Sequence, residues 1–271
     1  MAEPLAIAGA EPQADSPLVK RGRRFPVPTM LLSPIALLLV WELCARFGWI
    51  ETKFFPAPST IAVTAWQMAG SAEFWLDLRV SLSRMAIGFF LGAIPGLLVG
   101  LAMGLFTPAR TIFQPLVAAI YPLPKIALLP LILLIFGLGE LSKYVIVAIG
   151  VFFLMAINAM AGVLNVPAIY FDVARNLKAS RWKIYFTVAL PGALPGIFTG
   201  LRICVGTALL LLVAAEFVGA NEGIGYRIWW SWSVFWVNSM YVGFAVIALL
   251  GFLLTTLVDY CERWCLPWQG R

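Results

Sequence analysis

Long apolar runs separated by short polar breaks dominate the chain, and their lengths predict helices that cross a membrane. Six runs approach the ~20 residues a helix needs to span hydrocarbon. They cover about Thr29–Phe47, Met85–Phe106, Leu116–Phe136, Tyr144–Val163, Leu194–Phe217 and Val237–Val258. The short alternating segments of a membrane β-barrel are not seen. The expected fold class is an all-α polytopic membrane protein. One break departs from the rest. From Asn165 to Pro191 the chain becomes polar and basic for longer than any other interruption between apolar runs.

Finer patterns lie inside the runs. The second carries Gly88, Gly92, Gly96, Gly100 and Gly104, one every fourth residue. This strips side chains from one helix face and predicts close approach of another helix, within the chain in preference to a second copy. Pro95 is expected to kink that helix. The third run is interrupted by Pro122, Pro124 and Pro130 and closes on Gly137-Leu138-Gly139-Glu140. Irregular backbone at membrane depth is tolerated only against protein or a wet path, so this run is a candidate wall of a passage. Between the first two runs, Pro56-Ala57-Pro58-Ser59 predicts a break. An amphipathic surface helix follows, with Ser59 as N-cap and Ile61, Ala65, Met68 and Ala69 on one face.

Composition sharpens the class. Of 271 residues 62% are hydrophobic and 12% charged, which leaves too little polar cover for a soluble domain. The net charge of +6 reads as topology charge, not nucleic-acid binding. Lys20, Arg21, Arg23, Arg24, Arg110, Arg175, Lys178, Arg181, Lys183, Arg202, Arg263 and Arg271 fall on one side. Arg46, Lys53, Arg79, Arg84, Lys143 and Arg227 fall on the other. The bias predicts both termini in the cytoplasm, with residues 1–27 as a flexible cytosolic tail and 28–271 as the membrane domain. The chain has no histidine. Cys44, Cys204, Cys261 and Cys265 lie in or beside apolar runs and read as small filler, with no metal site.

In the basic break, Ile169, Val173 and Leu177 recur at helical spacing, with Asp172, Arg175 and Lys178 off that stripe. Ser180 is a plausible N-cap for a second short helix, which carries Trp182, Tyr185, Phe186 and Ala189 on one face until Pro191 and Pro195 break it. Two amphipathic helices joined by a turn either fold onto their own bundle or dock a soluble partner.

A resemblance favours docking. The break resembles the "EAA" motif of permease subunits in binding-protein-dependent ABC importers, which reads Glu-Ala-Ala, three residues, Gly, nine residues, aliphatic, any residue, Leu, Pro. Asp172-Val173-Ala174 stands for the opening triplet, and Val188, Leu190 and Pro191 take the closing positions. Two residues depart from the motif. Asp172 is one methylene shorter than Glu, and Lys178 stands where the family has glycine. A positive φ there would strain Lys by roughly 1–2 kcal/mol. Phe55-Pro56-Ala57-Pro58, Pro122 to Leu131, Phe136 to Lys143, Ala214-Ala215-Glu216 with Gly223-Ile224-Gly225, and Leu266-Pro267-Trp268 are similar to the nitrate/sulfonate/taurine branch.

The resemblance implies a type I importer fold. Two copies of the permease form the passage, and two copies of a cytosolic ABC ATPase each grip one coupling loop, here 165–191. A periplasmic solute-binding protein delivers a small anion such as nitrate, taurine or an alkanesulfonate. The chain itself would be no enzyme and bind no cofactor, since it lacks the Gly-x-x-x-x-Gly-Lys-Ser/Thr phosphate loop; ATP and Mg would belong to the partner. It would sit in the bacterial inner membrane, against lipid. The docking residues implied are Asp172, Val173, Ala174, Arg175, Lys178, Ser180, Arg181, Trp182, Leu190 and Pro191.

Lys125, Asn158 and Glu216 are candidates along the translocation path. Each has a structural alternative: Lys125 snorkels to the interface, Asn158 bonds a neighbouring helix, and Glu216 pairs with an Arg. Glu42 and Arg46 are expected to pair. Two other functions stay open. An intramembrane enzyme would need convergent acid–base or nucleophilic groups, and no such set is present. An ATP-independent channel or secondary transporter would not need the basic loop.

Overall fold

The computed structural model describes residues 27–268, with side chains from residue 32 onward. The tail expected over 1–27 lies outside the described residues except for Val27, and so do Lys20, Arg21, Arg23, Arg24 and Arg271. Every element among the described residues is helical. Helices α3 (Ala72–Leu105), α6 (Glu140–Leu164), the run Arg181–Gly219 and α11 (Val237–Cys265) are each long and apolar enough to cross a membrane. A bent pair brings the number to five if it is counted as one span. Helix α1 (Val27–Arg46) covers nearly all of the first expected span.

Helix α2 (Pro58–Ala69) follows the predicted break, but Ser59 is not its N-cap. Pro58 opens the helix, and the Ser59 backbone N–H and hydroxyl both donate to the Glu42 carboxylate, at 2.9 and 2.8 Å. That carboxylate also takes the expected Arg46 at 2.6 Å, and so ties α1 to α2. The inward face of α2 is Ile61, Thr64 and Met68, with Ala65 packed alongside and Ala69 exposed.

Helix α3 begins well before the expected Met85, capped by Ser71 accepting from the Phe74 N–H at 3.3 Å. Asp77, Arg79 and Arg84 make that stretch read as polar connection. The fold instead buries Asp77, Ser81 and Arg84 among partners, so the helix runs on. It continues through Pro95 to Leu105. The glycine stripe seats α6 of the same chain. A Cβ on Gly88 would stand 2.7 Å from Val147 Cβ, and one on Gly96 2.6 Å from the Phe152 carbonyl oxygen. On Gly104 it would stand 2.6 Å from Val163 Cβ. The opposite face of α6 meets α9 (Leu190–Gly219), where Gly196 lies against Gly162 and Gly200 against Asn158. Met155, Val151, Cys204, Ala208 and Leu212 fill this three-helix centre.

The third expected run is no single span. Helix α4 (Thr107–Ile120) ends before Pro122 and Pro124, a 3₁₀ turn covers Lys125–Leu128, and α5 (Leu129–Phe136) leaves at 84° to α4. Pro130 does not break α5, because it sits in the first turn, where no N–H is required. The pair still connects opposite ends of the bundle. Arg110 binds the last carbonyls of α3, whereas Glu140 after α5 meets Arg84 near the other end of α3.

Pro191 and Pro195 do not end the helix they were expected to break. Helix α8 (Arg181–Ile184), a π-turn at Tyr185–Ala189 and α9 form one continuous run. Leu190 N–H reaches back five residues to the Tyr185 carbonyl, so the ladder widens just before Pro191, which lacks an N–H. Helix α10 (Ile224–Ser233) and α11 complete the chain. Arg202 of α9 binds Asp259 and Glu262 of α11, at 2.5 and 2.7 Å.

Candidate functional site

Charged side chains gather at two opposite ends of the bundle, in opposite ways. At the end where α3 begins, Glu216 is buried completely. Its carboxylate accepts from Arg84 Nη1 at 2.9 Å, from the Gly225 N–H at 2.8 Å and from the Ser81 hydroxyl, which lies 2.8 and 2.9 Å from its two oxygens. Arg84 also forks onto Glu140 at 2.5 and 2.6 Å and donates to the Glu222 carbonyl at 2.6 Å. Lys143 Nζ donates to the carbonyls of Leu138 and Gly139, both at 3.1 Å, and approaches Glu140 at 3.5 Å. Asp77 accepts from the Gly223 N–H at 2.7 Å and Arg227 Nε at 2.6 Å. Three cations thus meet three carboxylates across α3, α6, α9 and α10, and buried charge is tolerated on those terms.

Glu216 takes the structural alternative named from sequence: it pairs with Arg84, and Ser81 and Gly225 help to enclose it. Asn158 bonds within its own helix, to the Leu154 carbonyl at 2.8 Å, and not across to a neighbour. Lys125 is half-buried; its ammonium donates to the Tyr121 carbonyl and lies 4.7 Å from the Tyr121 ring centre and 5.6 Å from that of Phe153. Arg84, Asp77, Ser81, Glu140 and Arg227 were not singled out from sequence as a site. The available signal was three charged residues, Asp77, Arg84 and Glu216, flanking long apolar runs with no water-facing reason to be there.

At the other end the predicted loop is ordered. Helix α7 (Ala168–Asn176) carries Asp172, Val173, Ala174 and Arg175. It ends in a Schellman turn: Ala179 N–H donates to the Ala174 carbonyl at 3.0 Å and Lys178 N–H to that of Arg175 at 2.8 Å. This turn needs a left-handed residue at Lys178, whose φ is +53°. That is the position at which the motif has glycine, so the departure noted from sequence is a strained one. Ser180 caps the next helix as expected, accepting from the Lys183 N–H at 3.3 Å.

Ile169, Val173 and Leu177 are all exposed, Leu177 by 78%. Trp182 and Phe186 stack on each other and stay exposed, while Ala189 is buried, so the expected single face of the second helix is split by the π-turn. Among the described residues Asp172 pairs with Arg175 alone, at 3.2 Å. Between α7 and the start of α9 lies a cavity of about 1000 Å³ lined by Val173, Ala174, Leu177, Lys178, Pro191 and Trp268, among others. Arg181 opens α8, and Leu190 and Pro191 open α9.

Residues 90–268 match the family model for the binding-protein-dependent transport system inner membrane component. The taurine transport system permease protein TauC of Escherichia coli (strain K12) is 36% identical over 90% of each chain. The putative aliphatic sulfonates transport permease protein SsuC of Bacillus subtilis (strain 168) is 33% identical over 97% of this chain and 96% of its own. The bicarbonate transport system permease protein CmpB of Synechococcus elongatus is 34% identical over 71% of this chain and 69% of its own. A chain in an inward-facing structure of the MetNI methionine ABC transporter shares the fold, with a TM-score of 0.60 at 21% identity over 70% of this chain and 96% of that one. The chain therefore belongs to the inner-membrane permease components of binding-protein-dependent ABC transport systems.

Proposed function

We propose that this permease imports a small sulfonate or related oxyanion, driven by a separate ABC ATPase that grips residues 165–191. The observation that carries the coupling is the exposed stripe Ile169, Val173 and Leu177 beside an open cavity, on an ordered turn that keeps a strained residue at Lys178. Apolar side chains on an ordered loop otherwise lose free energy by facing water. Val173, Ala174 and Leu190 fill the ATPase groove. Asp172, Arg175, Lys178 and Arg181 set its register, Ser180 and Pro191 fix the loop, and Trp182 flanks it. ATP and Mg are held by the ATPase. In this reading the loop faces the cytosol, both termini lie there, and residues 28–271 form the membrane domain with 1–27 as its tail.

The passage forms between two copies of the chain, across the exposed apolar faces of α4 and α5, where Leu134 is 83% exposed. Lys125, in the turn between α4 and α5, borders that passage in this reading. A periplasmic binding protein presents the solute at the Glu216 end, and the relatives' names point to taurine or an aliphatic sulfonate. The test is co-purification and uptake. Wild-type chain should bring down an ATPase and accumulate labelled taurine or alkanesulfonate only with ATP, and Asp172→Lys should uncouple hydrolysis from uptake. Solute flux through the purified chain alone, without ATP, would establish the channel reading instead.

A further inference from the structure

A second cavity, of about 560 Å³, lies beside the loop where the end of α3, the start of α4, α7 and α8 meet. Arg110, Arg175 and Arg181 line it. Arg110 is fixed in place: Nε donates to the Met103 carbonyl at 2.9 Å and Nη2 to that of Gly104 at 2.8 Å. One carboxylate, Asp172 on Arg175, offsets the three guanidinium groups, and among the described residues no acid pairs with Arg181. An apolar slot of about 210 Å³ adjoins this basic cavity. The two share Leu105, Val163 and Tyr185 as walls, and Phe106, Trp182 and Phe186 help to complete the slot.

We propose that the pair of cavities holds one anionic phospholipid, its phosphate on Arg110, Arg175 and Arg181 and the head of an acyl chain along Leu105, Val163 and Trp182. Guanidinium forks bind phosphate oxygens bidentately, and basic pockets between membrane helices collect acidic headgroups. A free phosphate would use the basic cavity and leave the slot without an occupant. The slot lies along α3 and the start of α9, both membrane-crossing runs, so an acyl chain reaches it from the bilayer. The bound lipid bridges α4 to α7 and α8 and stiffens the loop against the bundle. Arg175, Arg181 and Trp182 also belong to the proposed docking set; lipid retention tests this site and ATPase recovery tests docking, so the two can fail separately.

The test is native mass spectrometry of the full chain, with whatever subunits co-isolate, delipidated in detergent and titrated with phosphatidylglycerol, phosphatidylcholine or inorganic phosphate. Phosphatidylglycerol should be retained in preference to phosphatidylcholine. Arg181→Gln, an exposed side chain whose loss leaves the fold intact, should weaken its binding roughly fivefold. Arg110→Gln should weaken it comparably, and Phe186→Ser should weaken it through the slot. Equal retention of the two lipids, or unchanged phosphatidylglycerol binding in Arg181→Gln, would overturn the proposal. So would displacement of phosphatidylglycerol by inorganic phosphate combined with indifference to Phe186→Ser, which would leave a free-anion site.

Discussion

The two ends of the same helices handle charge and apolar surface in opposite ways. Around Glu216, cations and carboxylates balance, and Arg84 and Glu216 are almost wholly removed from solvent. Around α7 the ion pair is exposed, leucine and tryptophan face outward, and Lys178 is held left-handed. No buried side-chain polar atom among the described residues lacks a partner, so the buried charges of the first end are satisfied within the chain. The second end has order without burial. One end fixes the relative positions of α3, α6, α9 and α10, and the other presents surface. A permease that moves as rigid bodies needs both: a clamp within each body and a place to push.

Breaking the clamp should have the largest effect. Glu216→Ala leaves the Arg84 guanidinium buried beside an empty space and without one of its two carboxylates. Removing one partner of a buried pair costs about 3–5 kcal/mol, so the thermal midpoint of the detergent-solubilised protein should fall steeply. The double change Glu216→Leu with Arg84→Met puts apolar side chains in place of both charges and should recover much of that loss in the same melt. If Glu216→Ala melts like wild type, the cluster is not the clamp.

Next in size are two of the five positive-φ positions among the described residues, Gly223 at one end and Lys178 at the other. Gly223 has φ +120°, and an added Cβ would lie 2.6 Å from the Glu216 carboxyl carbon. Gly223→Ala should therefore destabilise by about 1–3 kcal/mol, read from the same melts. Lys178 sits at φ +53° with a side chain facing out. Lys178→Gly removes left-handed strain of about 1–2 kcal/mol, less the extra chain entropy of glycine, for a net gain of about 1 kcal/mol or less. The sign should differ between the two ends. A shared sign would show that backbone strain is not distributed as the contrast requires.

The sequence carried the loop better than the clamp. The spacing from Asp172 to Pro191, the Ser180 cap and the glycine stripe on α3 were all legible, because each is a local pattern or a single-helix periodicity. The cluster was not, because it joins Asp77, Arg84, Glu140, Glu216 and Arg227, whose proximity exists only once four helices are packed. Charge also misled the reading of helix ends. Asp77, Arg79 and Arg84 made the opening of α3 look like a connection, since a pattern of polarity does not reveal that buried partners await. Prolines misled in the other direction: Pro191 and Pro195 sit in a continuous helix, and a π-turn just before Pro191 absorbs its missing donor.

The smallest effect on stability should come with a large effect on coupling, and this separates the two ends most sharply. Val173 is half exposed on α7 and fills no packed core among the described residues. Val173→Asp should leave the melting midpoint within about 0.5 kcal/mol of wild type, as exposed substitutions away from caps and pairs do. Under the proposed docking, the same carboxylate would be carried into an apolar groove without a partner, which disfavours the complex. ATPase recovered with the purified chain should fall, and solute uptake with it, while the fold is untouched. A Val173→Asp protein that keeps both its ATPase and its uptake would mean that the exposed stripe of α7 is not the surface being gripped. The contrast between the ends would then be one of packing alone.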